Sequence, residues 1–111
     1  MKSKNKSLQI INALKKVLTT QHGKLIHSVI LFGSQATGRA TRFSDFDVLI
    51  VLNENYNWKF ERELSKLLYL FELRNDIFID AHFISVEELN FSLKGKDSLF
   101  INALKNGIYA K

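Results

Sequence analysis

The stretch Phe46–Leu52, FDVLIVL, constrains this chain more than any other. A strand with apolar side chains on both faces must be covered on both, which places it inside a sheet rather than at a wet edge. Yet the run opens on Asp45-Phe46-Asp47. Side chains alternate along a strand, so Asp45 and Asp47 point one way and Phe46 points the other, into core. Two steps of about 3.3 Å put the two aspartate Cα atoms roughly 6.6 Å apart. Carboxylates converging to about 4 Å repel by roughly 4 kcal/mol at an effective dielectric near 20. Burying them also costs free energy unless a cation or a donor meets them. A divalent ion reverses the sign of that repulsion. Magnesium in particular takes a few carboxylates and completes its shell with water and substrate phosphates.

The flanking sequence supplies neighbours for this strand. Leu8, Ile11, Leu14, Val17 and Leu18 recur at helical spacing and predict an amphipathic helix over 8–20, ended by His22-Gly23. Residues 25–32, LIHSVILF, read as a strand. Phe60, Leu64, Leu67, Leu68 and Phe71 form a helical stripe within 57–74, broken by Asn75-Asp76. Residues 77–84, IFIDAHFI, read as a third strand. Ser85 with Glu88 is a capping-box signature, and Ile84 with Leu89 is placed as a hydrophobic staple for a short helix to about 92. Asp97 caps a last helix, with Gly107 as its stop and Ile108 packing back. The expected fold is an α/β (α+β) single domain spanning 1–111, a small mixed β-sheet packed with helices.

Composition narrows the function. A hydrophobic fraction of 46% with 24% charged residues suits an ordinary globular domain. There is no apolar run near the length of a membrane span. The basic start, MKSKNKSLQIINALKK, lacks the apolar block and cleavage site of a signal peptide. Without cysteine there is no disulfide framework and no thiolate metal site. A cytoplasmic protein is the simple expectation. The net charge of +5 invites nucleic acid as a partner, but the lysines are scattered. Only Lys2, Lys4 and Lys6 cluster, on what reads as a frayed end. A positive balance suits a nucleoside-triphosphate site equally well.

The remaining parts of a site can be found around Asp45 and Asp47. Gly33-Ser34 ends the first strand, where a glycine allows close backbone approach. The Ser34 hydroxyl and the following N–H groups can meet phosphate oxygens. Asp80, mid-strand in IFIDAHFI, is costly if unpaired. It reaches the aspartate pair if strands 46–52 and 77–84 are neighbours. Three carboxylates then suit a two-metal site with ions about 3.5–4 Å apart, the arrangement used for phosphoryl or nucleotidyl transfer. Arg39 and Arg42 are candidate phosphate clamps. A Walker A reading of Gly33–Ala40, GSQATGRA, fails because Arg39 replaces its lysine and Ala40 its metal-binding hydroxyl. Each feature also has a plain alternative. The aspartate pair can be a solvated loop end, Gly33-Ser34 a tight turn, and Asp80 an edge residue facing water. His82 is more simply structural than catalytic. Trp58, Phe60, Tyr69 and Phe71 read as core before they read as a base-stacking platform, with a partner surface left open.

Gly33-Ser34, then Asp45-x-Asp47 preceded by Ser44, then a later strand aspartate, together resemble the DNA polymerase β-like nucleotidyltransferases. The similarity is greatest to their minimal prokaryotic members, the antitoxin partners of HEPN toxins. It covers nearly the whole chain, including the ending ALKNGIYAK. The resemblance implies the nucleotidyltransferase fold and a magnesium-dependent transfer of AMP from ATP. Gly33 and Ser34, with Arg39 and Ser44 nearby, would hold the triphosphate. Asp45 and Asp47 would bind two magnesium ions. Asp80 would join the catalytic metal and assist deprotonation of the acceptor hydroxyl. The implied acceptor is a tyrosine of a separate HEPN ribonuclease toxin, silenced by AMPylation, which makes this chain a type VII antitoxin. Two departures stand out. Thr37 occupies a position where many members have arginine, and His82 one where an apolar residue is usual. The alternatives are a non-catalytic binding antitoxin or subunit, and a nucleotidyltransferase acting on a small molecule or RNA.

Overall fold

The computed structural model describes residues 2–41 and 45–111. The chain runs α1 (Lys2–His22), β1 (Ile26–Phe32), α2 (Ser34–Thr37), β2 (Phe46–Leu52), α3 (Trp58–Asn75), β3 (Ile79–Ser85), α4 (Val86–Phe91), a 3-10 turn (Leu93–Lys96), α5 (Ser98–Asn106) and β4 (Ile108–Tyr109). Four strands form one mixed sheet in the order β3-β2-β1-β4. β2 is central, as its two apolar faces require. It pairs antiparallel with β1 and parallel with β3, the latter through the long crossover of α3.

Alternation along the strands builds two cores. Val29, Leu31, Val48, Ile50, Leu52 and Phe83 face Ile11, Leu14 and Leu18 of α1 and Leu64, Leu68 and Phe71 of α3. On the other face, Ile30, Phe32, Leu49, Val51 and Ile84 meet Phe100 and Ala103 of α5, with Leu89 of α4 at the margin. No helix among the described residues is long and apolar enough to cross a membrane.

Local signals stop the elements where physical chemistry expects. Asn57 caps α3 by accepting from the Phe60 N–H, and Asp76 ends it in the left-handed region, φ 53°. Ser85 and Glu88 form a reciprocal capping box at α4. Asp97 accepts from the Leu99 N–H at α5.

Four expectations need correction. First, α1 begins at Lys2, not residue 8, because lysine is a good helix former and the run has no breaker. Second, the third strand is Ile79–Ser85 rather than 77–84. The Phe46 N–H donates to the Phe78 carbonyl at 2.8 Å as the first bond between β2 and this segment, and Ile79, opposite Phe46, is its first paired residue. Third, β4 follows α5 and pairs with β1, Ile30 opposite Tyr109. Gly107 permits this through space rather than a left-handed turn. Its φ is −75°, and a Cβ there would strike the Ala103 carbonyl and the Ile30 side chain. Fourth, Trp58 and Tyr69 are exposed, whereas Phe71 is core and Phe60 packs at its margin.

β3 is an edge strand, and its open side is partly closed by side chains. The Ile79 N–H donates to Glu72 Oε2 at 2.7 Å, and the Tyr56 hydroxyl donates to the Phe83 carbonyl at 3.1 Å. Such plugs discourage edge-to-edge pairing with another chain.

Candidate active site

The strand register assembles the site. Phe32, Asp47 and Asp80 are abreast on β1, β2 and β3. One row further in, Ile30, Leu49 and His82 are abreast. The aspartates thus lie at the mouth of the face that α5 covers deeper in. The expectation that β2 and β3 are neighbours holds, and Asp80 stands directly beside Asp47.

Asp47 is half-buried and Asp80 is half-exposed, with 55% of its side chain accessible. Asp45 is exposed just outside β2. The Asp47 carboxyl is pushed above the ordinary aspartate range, first by burial, then by the charges of Asp80 and Asp45. A hydrogen bond with Asp80 acts in the same direction, and His82 opposes it. His82 Nε2 lies 3.5 Å from Asp80 Oδ2. Its ring is held between two others, with centroids 5.9 Å from Phe32 and 6.4 Å from Phe100. That wedge explains a histidine between Asp80 and Ile84 on this strand face: the ring body fills core while one nitrogen faces a carboxylate.

The small-residue turn meets the same carboxylate. Gly33 follows Phe32 directly, so its backbone lies against Asp47. A Cβ on Gly33 would collide with Asp47 Oδ2. Its backbone, φ 74° and ψ −155°, belongs to a region essentially reserved for glycine. Two constraints therefore demand glycine here, and both arise at the site. Ser34 opens the one-turn helix α2, in which the Ala36 and Thr37 N–H groups donate to the Gly33 carbonyl. Gly38, φ 77°, closes that helix, and the exposed Arg39 follows, its N–H donating to the Ser34 carbonyl at 3.0 Å. Thr37 Oγ1 donates to the Ser34 carbonyl at 3.3 Å, so its hydroxyl serves the turn itself.

Gln35 went unnoticed in the sequence. It is buried, and its Oε1 accepts from the Ser7 hydroxyl at 3.0 Å, tying α2 to α1. A polar residue between Ser34 and Ala36 carries no sequence signal of burial; only α1 crossing beneath it creates one.

Ser44 and Arg42 lie outside the described residues. The expected cage of Asp45, Asp47 and Asp80 is closed only in part. Asp47 and Asp80 meet, but among the described residues no three His, Cys, Asp or Glu side chains are grouped to hold a metal ion.

The sequence model of the nucleotidyltransferase domain matches residues 11–109. The chain belongs to this family. Two Methanocaldococcus jannaschii proteins that carry the provisional name protein adenylyltransferase are similar to this nucleotidyltransferase. One is 36% identical over 72 residues, 65% of this chain and 73% of the relative. The other is 33% identical over 70 residues, 63% of this chain and 68% of the relative. Among solved structures, a toxin–antitoxin complex, MntA–HpeT in a mutant form, shares the fold at a TM-score of 0.61 and 17% identity, covering 88% of this chain and 69% of that one. A provisionally named nucleotidyltransferase from Sulfolobus solfataricus matches at a TM-score of 0.61 and 18% identity, covering 97% of this chain and 82% of that one. The expected nucleotidyltransferase fold is thus the observed one, and the protein is an enzyme of nucleotidyl transfer.

Proposed function

We propose that this nucleotidyltransferase moves AMP from ATP, with magnesium, onto a hydroxyl of a partner protein. The proposed acceptor is a tyrosine of a cognate HEPN ribonuclease toxin. AMPylation silences that toxin, so the chain acts as a type VII antitoxin in the cytoplasm. One observation carries the chemistry: Asp47 and Asp80 abreast, with the Gly33 backbone pressed against the Asp47 carboxylate. The names of the two archaeal relatives favour a protein as acceptor, and the toxin–antitoxin neighbour in fold favours a toxin.

The donor set suits magnesium. All three carboxylates offer hard oxygen, and the repulsion that burdens half-buried Asp47 is what a divalent cation relieves. Asp45, Asp47 and Asp80 would hold the metal, which when bound neutralises the triphosphate and the charge that grows on the leaving pyrophosphate. Gly33 gives the triphosphate close approach to the backbone, and the Ser34 hydroxyl donates to a phosphate oxygen. Arg39, exposed just after α2, adds positive charge, and Ser44 is a further candidate phosphate contact from the sequence pattern alone. Asp80 takes the proton of the acceptor hydroxyl as the new O–P bond forms and the bond to pyrophosphate breaks. His82 holds Asp80 in position from behind. A cleft of about 400 Å³ at the edge of β3, lined by Tyr56, Glu61, Ser65, His82 and Phe100 among others, touches this group only through His82.

The test mixes the purified protein with its candidate toxin and α-labelled ATP. Wild type should transfer label and add one AMP mass increment per modified hydroxyl by intact-mass spectrometry. Asp45→Asn should do neither while keeping its fold. Label transfer by Asp45→Asn at the wild-type rate would refute the metal assignment. Equal neutralisation of the toxin by both proteins would show that contact alone silences it.

A further inference from the structure

Helix α3 has two apolar sides, and only one is used. Leu64, Leu68 and Phe71 are buried against the sheet. On the outer side Trp58 is 67% exposed, Tyr69 60%, Leu70 59% and Leu73 62%. With Arg62 and Lys66 these residues occupy roughly a third of the helix circumference. Arg62, Ser65, Lys66, Tyr69 and Leu70 outline a concavity of about 430 Å³. Scattered exposed leucines need no explanation, but Tyr69, Leu70 and Leu73 cluster on one face beside Arg62 and Lys66, and such a rimmed apolar cluster marks an interaction surface.

Charge says what covers it. The charged groups on this stripe are Lys59, Arg62 and Lys66, all cationic. Lys59 Nζ lies 5.7 Å from the Trp58 ring centroid. Of the α3 carboxylates, Glu72 accepts from the Ile79 N–H, and the exposed Glu61 and Glu63 fall outside the stripe by helical spacing, Glu63 3.9 Å from His22 Nε2. A second copy of this chain, with its net charge of +5, would bring cations against cations. Nucleic acid would satisfy Arg62 and Lys66 but leave Leu70 and Leu73 without apolar cover.

We propose that the outer face of α3 docks an acidic amphipathic helix of the acceptor protein. Apolar side chains of that helix cover Tyr69, Leu70 and Leu73, and its carboxylates meet Arg62 and Lys66. α3 covers the face of the sheet opposite the one on which Asp47 and Asp80 stand, so a partner helix seated here anchors the partner without itself entering the site. Naming the partner as the acceptor rests on the proposed transfer reaction; the docking does not.

The test measures binding of the purified product of the neighbouring reading frame by titration calorimetry. Leu70→Ser/Leu73→Ser and Arg62→Glu/Lys66→Glu change only exposed residues and should keep the wild-type melting temperature. Each should weaken binding by on the order of tenfold or more. Wild-type binding should also weaken as salt rises. Asp47→Asn, unable to transfer, should still bind. Failure of the wild type to bind, or wild-type affinity in both double variants, overturns the docking surface. Loss of self-association or of binding to a short RNA in those variants, with partner binding intact, overturns it in favour of those occupants. Normal docking without any label transfer by the wild type refutes the transfer reaction and leaves the surface standing.

Discussion

Asp47 and Leu49 sit two residues apart on the same face of the same strand, yet they do opposite work. Leu49 is fully buried between Ile30 and His82, and its burial holds the sheet to α5. Asp47 is half-buried beside two like charges, and its carboxyl is held above the ordinary range at a cost to the fold. One strand therefore carries a stabilising interior and a destabilised mouth. The boundary falls where α5 stops covering the face. Function is placed where the sheet gives up stability, because a group already well compensated by the protein has little left to offer a cation or a substrate.

Four substitutions or titrations bear on that contrast. The largest effect is expected from Asp47→Asn. Transfer activity should fall by more than the roughly 100-fold typical of an outer-shell change at a metal site, read from label transfer at saturating ATP. Without divalent ions, the same variant should melt at or above the wild-type temperature. Next is Leu49→Ala, which should destabilise by about 2–5 kcal/mol, read from urea unfolding. The folded fraction should keep its transfer rate. Gly33→Ala should break the contrast, because here stability and activity share one atom's space. A cost of about 1–3 kcal/mol for the positive φ should come with lost transfer as Asp47 is displaced.

The smallest effect is on pH dependence. Asp47 titrates higher in the folded state than its ordinary value of 3.8. The fold therefore holds an extra proton above that value, and stability falls as pH rises through the raised range. In chelator, this decline should be present in wild type and flatter in Asp47→Asn. Identical slopes would mean that Asp47 is not strained at the mouth.

Much of this was legible in the chain. FDVLIVL declared a central strand, Ser85 with Glu88 a helix start, Asp97 another, and Asp76 a stop. Those signals act within a few residues, so they survive without a tertiary context. The Gly-Ser turn and the Asp-x-Asp pair likewise point to phosphate and metal chemistry from the sequence alone. Other features were not legible. β4 is two residues long, too short for any period, and exists because Gly107 lets the chain approach β1. Gln35 is buried only because α1 crosses it. Trp58 and Tyr69 carry the composition of core residues, but α3 can turn only one side to the sheet.

By itself, then, the sequence determined the three long strands, the main helices and the short motifs that could carry nucleotidyl transfer, since propensity, capping and alternation are local. Only the tertiary structure decided that Asp80 stands beside Asp47, that Gly33 is pressed against that carboxylate, and that one side of α3 is left uncovered. Those facts depend on strand order and register, which are set by how distant apolar faces find each other and leave no trace in any single stretch of residues.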